Sequence, residues 1–208
     1  MNNKEIIATF EKDNRKCFGK YNKAFVIGKI IEEFEEAEIE DGKVYNTKVR
    51  TQRSSGLINI VQITIPEELK KSEDYLEKEV IITGEYRSSL ENGHKRMFLY
   101  ARTLEIYTDS VLPEETNLVY LEGFLTKKPF TKNEDVPKRK LASFCIAVRR
   151  KDSTNPEDAD YINCIAWNKN QDVIKNYTQG KLVKLYGLMH SRKGELAPIY
   201  SVKVFEFA

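Results

Sequence analysis

The sequence predicts an all-β protein with short helices, built as two tandem five-stranded Greek-key barrels, and three observations predict it. Hydrophobic residues make up 40% of its 208 residues, with 11 Tyr and 10 Phe against 3 Met, a composition rich in strand formers and too apolar for disorder. Three blocks of sequence recur in the same order, which marks a duplication. Within each copy apolar residues alternate with period two, interrupted once by a short polar helical stretch.

The repeat is anchored on Asn22 and Gly28 of NKAFVIG, which return 95 positions on as Asn117 and Gly123 of NLVYLEG. VIITG, ending at Gly84, returns as VKLYG, ending at Gly187, and TLEIY at 103–107 returns as SVKVF at 201–205. An N-terminal extension over 1–20, a first domain over 21–110 and a second over 111–208 follow. Glycines inside strand patterns are expected at bulges or sharp barrel bends.

In the first copy, the acidic run Glu32–Asp41 lies between strands one and two and predicts a solvated loop or an extended hairpin. The second strand alternates Val49 and Thr51 with Lys48, Arg50 and Gln52, and ends at Arg53. This basic-polar face suits a phosphate backbone. The third strand turns Ile60, Gln62 and Thr64 outward, with no aromatic. Pro66 suits the first turn of a helix over 67–76. The hairpin RSSLENGHKRMFLY adds Arg87, His94, Lys95 and Arg96, with Phe98 and Tyr100 as candidate stacking residues.

In the second copy, Phe144, Ile146 and Val148 alternate with Ser143, Cys145 and Ala147, and a helical stretch runs over about 170–177. Five strands with a helix between the third and fourth is the order of the OB-fold, a barrel that binds oligonucleotides across one sheet face. Its third strand, 161–167, sets Ile162, Cys164 and Ala166 on one face, small and apolar as a core requires. Tyr161, Asn163, Ile165 and Trp167 take the other. An aromatic at each end of an outward face makes a sequence-tolerant platform for bases. The alternative for Trp167 is that it caps the core.

The net charge is only +2, but it is divided unevenly, −2 over 1–110 and +4 over 111–208. A polyanion is therefore expected at the second copy. Arg149, Arg150 and Lys151 at the end of its second strand, with Arg192 and Lys193 in its last hairpin, are the expected phosphate contacts.

The blocks NLVYLEGFLTKKPF, KLASFCIAVRR and DYINCIAWNKNQDVIKNYTQGKLVKLYG resemble the bacterial single-stranded-DNA-binding protein family from Asn117 to about Phe205. The first copy looks like a diverged version of the same domain. The resemblance implies single-stranded DNA as partner, base stacking at Tyr161 and Trp167, and a role in replication, recombination or repair beside proteins of those processes. It also implies four barrels acting together, which a tandem chain reaches as a homodimer. Two features depart from the family: the hairpin at 190–195 carries no aromatic, and the sequence ends in VKVFEFA, without a glycine-rich linker and acidic tail. An OB-fold protein-interaction adaptor of primosome type and a single-stranded RNA binder are the competing readings.

No enzyme, metal or cofactor is expected. His94 and His190 have no Cys, Asp or Ser at nucleophile or metal spacing, and no phosphate-binding glycine loop occurs. Cys17, Cys145 and Cys164 form no CxxC pair. No run of residues suits a membrane helix or signal peptide, so a cytoplasmic protein is expected.

Overall fold

The computed structural model describes residues 21–39, 42–52, 56–71, 74–91, 93–108, 116–135, 138–150, 158–192 and 199–208. Six strands come from the first copy: β1 (Asn22–Ile30), β2 (Glu35–Ile39), β3 (Gly42–Gln52), β4 (Ile58–Pro66), β5 (Glu79–Glu91) and β6 (His94–Ile106). The second supplies β7 (Asn117–Leu125), β8 (Phe130–Asp135), β9 (Lys138–Arg149), β10 (Ala159–Trp167), helix α1 (Lys169–Ile174), β11 (Leu182–Arg192) and β12 (Ile199–Phe207). By contact, the described residues form two compact units. One takes 23–86 and 98–118; the other takes 21–22, 87–97 and the chain from Val119 onward. The tip of the β5–β6 hairpin thus belongs to the second unit.

Each copy closes in the same way. In the first, β1 pairs antiparallel with both β5 and β3, β3 pairs with β4, β4 runs parallel to β6, and β6 neighbours β5. In the second, β7 pairs with β11 and β9, β9 with β10, β10 runs parallel to β12, and β12 returns to β11. Both circuits are the five-stranded OB barrel, with its single parallel contact between third and fifth strands. The predicted alternation sorts as expected. Phe144, Ile146, Val148, Ile162, Cys164 and Ala166 are buried, while Ser143, Cys145, Ala147, Tyr161, Asn163 and Ile165 face out.

Closure requires the first strand to cross the second at close range, and a glycine stands at each crossing. A Cβ on Gly28 would meet the carbonyl oxygen of Arg50, and one on Gly123 the carbonyl oxygen of Ala147. Gly187 marks a bulge, where the β11–β12 register shifts between Tyr186 and Gly187.

One predicted element differs. The helix expected over 67–76 is only a 3-10 turn, Glu67–Leu69, after which Lys70 is extended. Burial of Tyr75, with Phe34 packed edge-on at 5.8 Å, draws this segment inward and outweighs helix propensity. For the acidic run, the extended hairpin is the form found: β2 pairs antiparallel with β3, with Glu36 opposite Tyr45. The run is held by ion pairs from Glu32 to Lys48 (2.7 Å) and from Glu36 to Lys43 (2.8 Å), and the bond from Glu36 raises the Lys43 pKa above its ordinary value.

Gly123→Ala places a methyl group against the β9 backbone. It is expected to cost about 1–3 kcal/mol, read as a lower urea midpoint with an unchanged m-value.

Candidate nucleic-acid interface

The register of the second barrel sets side chains in rows across its outward face. Opposed residues in an antiparallel pair point to the same side, so β9 and β10 give the outward pairs Arg149/Ala159, Ala147/Tyr161, Cys145/Asn163, Ser143/Ile165 and Leu141/Trp167. Tyr161 is 49% exposed, and Trp167 is half-buried at the other end of the strand. Between them β9 presents Ser143, Cys145 and Ala147, small side chains that leave a shallow floor. Arg149 is exposed one register step beyond Tyr161, and Arg192 is exposed at the end of β11.

Two aromatics that sequence reading passed over share this face. Phe124 of β7 pairs with Ala147, and Phe130 of β8 pairs with Ser143. They are 57% and 67% exposed. They lie within a block already singled out, but nothing in the sequence says that β7 and β8 both border β9.

Several predicted phosphate contacts have internal employment. Arg150 donates from Nε to Asp160 Oδ2 (3.2 Å) and from Nη2 to Asp160 Oδ1 (3.0 Å) and the Ser88 carbonyl (3.1 Å). Asp160 is itself buried and accepts the Ser88 N–H at 2.8 Å, while the Tyr161 N–H donates to Ser88 Oγ at 2.9 Å. Arg150 therefore anchors the segment carrying Ser88 beside Tyr161. Arg87 is 7% exposed, which takes it out of reach of a phosphate, and its charge acts on Asp160. Phe98 and Tyr100 are also buried in a core, which removes them as stacking residues. Met97, Leu99 and Ala101 are buried too, because this length of β6 is covered on both faces.

Lys95 sits where a polyanion contact is expected. It is exposed, with Nζ 3.4 Å from Asn163 Oδ1 and 4.0 Å from Cys145 Sγ, at the middle of the floor between Tyr161 and Trp167. Arg96 donates to Glu91 at 2.9 Å. In the first barrel, Lys48 is paired with Glu32, whereas Arg50 is exposed in the row Lys29, Arg50, Ile60. Arg53, Lys151 and Lys193 lie outside the described residues.

Desolvation holds the Asp160 carboxyl above its ordinary range, outweighing the opposing pull of Arg150, the Ser88 N–H and Arg87. Among the described residues no group of three or more His, Cys, Asp or Glu could hold a metal ion, and no helix is long and apolar enough to cross a membrane.

The fold and the outward face define an OB-fold protein whose second barrel carries an exposed aromatic and basic surface. Residues 116–197 match the model of the Single-strand binding protein family, over the segment where the sequence resembles it. No curated protein sequence matches the chain. Among solved structures, the wild-type single-stranded DNA binding protein from Thermus aquaticus is 14% identical, with a TM-score of 0.69 over 90% of this chain and 91% of that one. A deletion mutant of that protein is 13% identical, also at 0.69, over 90% and 93%. At such identity the likeness establishes the fold, and it extends through both copies.

Asp160→Ala, which strands Arg150 and the Ser88 N–H, is expected to cost about 3 kcal/mol, measured by urea unfolding. Asp160→Asn keeps an acceptor and costs less. Because the folded-state pKa is raised, the stability contributed by protonating Asp160 is fully present below the unfolded-state pKa and is lost as pH rises through the folded value. Asp160→Asn should flatten that limb of the stability profile.

Proposed function

We propose that this protein binds single-stranded DNA, with little regard to sequence, on the outward face of β9 and β10, as a binding protein and not an enzyme. The observation that carries the reading is the exposed Tyr161 and the half-buried Trp167 on one face, beside the small β9 residues Ser143, Cys145 and Ala147, with Arg149 beyond Tyr161 and Lys95 between the two rings. Bases stack on such rings irrespective of identity, and each stacked base is worth about 1–3 kcal/mol. Cations beside the rings serve the phosphates and add the salt dependence of a polyanion complex. The family match over 116–197 supports the same reading, as does the likeness to the single-stranded DNA binding protein of Thermus aquaticus.

The first barrel has a different part. Its row Lys29, Arg50, Ile60 occupies the register positions of Phe124, Ala147 and Tyr161, so cations stand where the second barrel has a ring and a methyl group. Such a row follows a backbone without gripping bases. We assign the protein to replication, recombination or repair in the cytoplasm, acting as a homodimer that brings four barrels to one strand. A mass measurement on the free protein that returns a monomer rejects the dimer.

Titration with poly-dT should quench Trp167 emission, since it is the only tryptophan. Absence of both quenching and a mobility shift rejects the function and leaves an interaction adaptor; tighter binding of an equal-length RNA redirects it to RNA. Trp167→Ala, followed by anisotropy of a labelled dT oligonucleotide, should weaken binding by about tenfold with little change in salt slope. Arg149→Ala should lower the log–log salt slope by about 0.7.

A further inference from the structure

The segment from Phe124 to Phe130 joins β7 to β8 and reads F-L-T-K-K-P-F. Its two ends are the exposed phenylalanines, and its middle holds Lys127 and Lys128, both exposed. Phe124 lies in the row Phe124, Ala147, Tyr161, and Phe130 in the row Phe130, Ser143, Ile165. In each row a small β9 residue separates the phenylalanine from β10. Strands about 4.8 Å apart put the two walls of this trough roughly 10 Å from one another. The rows themselves are four β9 residues apart, about 14 Å along the strand. Leu182, opposite Phe124 on β11 and 40% exposed, extends the apolar wall.

Exposed apolar residues gathered on one face and rimmed by charge mark an interaction surface, and Phe124, Leu182 and Phe130 with Lys127 and Lys128 have that composition. The cover must be apolar over the rings and anionic over Lys127 and Lys128. An unpaired nucleic-acid strand has that combination, with planar bases on one side of its chain and phosphates on the other. We propose that Phe124 and Phe130 form a second stacking wall for single-stranded DNA, across β9 from Tyr161 and Ile165 of β10, with Lys127 and Lys128 taking the phosphates between them. The inference rests on the function proposed above and adds a second line of contacts to it. The strand then lies in the trough over Ser143, Cys145 and Ala147, gripped from both sides.

The variants are Phe124→Ala/Phe130→Ala, Phe124→Leu/Phe130→Leu and Lys127→Gln/Lys128→Gln. Each keeps Trp167, so poly-dT quenching and oligonucleotide anisotropy both remain readable. The alanine pair should raise Kd at least tenfold with the salt slope unchanged. The leucine pair, which keeps apolar area without a ring face, should also lose at least fivefold. The lysine pair should lower the log–log salt slope by about 1.4, twice the value for one phosphate on a single strand. Alanine variants that bind within twofold of the parent overturn the second wall, as does full rescue by leucine, which marks an apolar protein contact. An unchanged slope in the lysine pair overturns the phosphate contacts even if the alanine variants fail to fold. If the parent itself neither quenches nor shifts, the function proposal fails first; if the parent binds and the variants bind as it does, this inference alone fails.

Discussion

The crossing of β7 over β9 at Gly123 is the constraint on which the outward face depends. Barrel closure brings two strands distant in sequence within backbone contact, and the Ala147 carbonyl occupies the space that a side chain on Gly123 would need. One residue further along β7, Phe124 comes into register with Ala147. The same contact that seals the core therefore delivers an aromatic to the surface beside Tyr161. Core packing and the outward position of Phe124 share one geometric cause here, so neither can be altered at the crossing without the other.

The first barrel makes the same crossing at Gly28 and puts different chemistry on it. Lys29 meets Arg50 there, and β3 leads on to Ile60. The two barrels share the closure, which backbone sterics enforce, and differ in their exposed rows, since exposed positions are constrained by what they meet. The acidic run strengthens the contrast. Glu32 holds Lys48 at 2.7 Å, and Glu36 holds Lys43 at 2.8 Å, so part of this barrel's positive charge is answered within the barrel itself. Exposed pairs of this kind add little stability. Their consequence is electrostatic: a polyanion meets a weaker field at β3 than the count of basic residues suggests.

Cations divide by the same logic in the second unit. Arg150 and Arg87 are drawn to the buried Asp160, where a carboxylate without partners would be costly. Arg149, one residue earlier in sequence, points the other way and is exposed. The alternation of a strand makes neighbours in sequence opposites in role. Asp160 also binds the Ser88 N–H, and Ser88 Oγ accepts the N–H of Tyr161, so the hydrogen bonds that satisfy the buried acid also pin the backbone that presents the exposed ring.

The period-two patterns of 143–148 and 161–167 determined the barrel class, the core face and the outward placement of Tyr161 and Trp167, because alternation on a half-buried strand is a local property. The recurrence of Asn22 and Gly28 as Asn117 and Gly123 likewise marked two halves with one strand circuit, and the glycines were legible as points where a strand bends. The lost helix after Pro66 was not legible, since burial of Tyr75 overrode local propensity. Nor were the roles of the basic residues, because Arg149 and Arg150 read alike until Asp160 claims one of them. Phe124 and Phe130 read as ordinary strand residues. Only the tertiary register placed them across from β10, barrel closure bringing Phe124 to Ala147 and the β8–β9 pairing bringing Phe130 to Ser143, since period two tells which side of its own strand a residue takes but not which strands lie beside it.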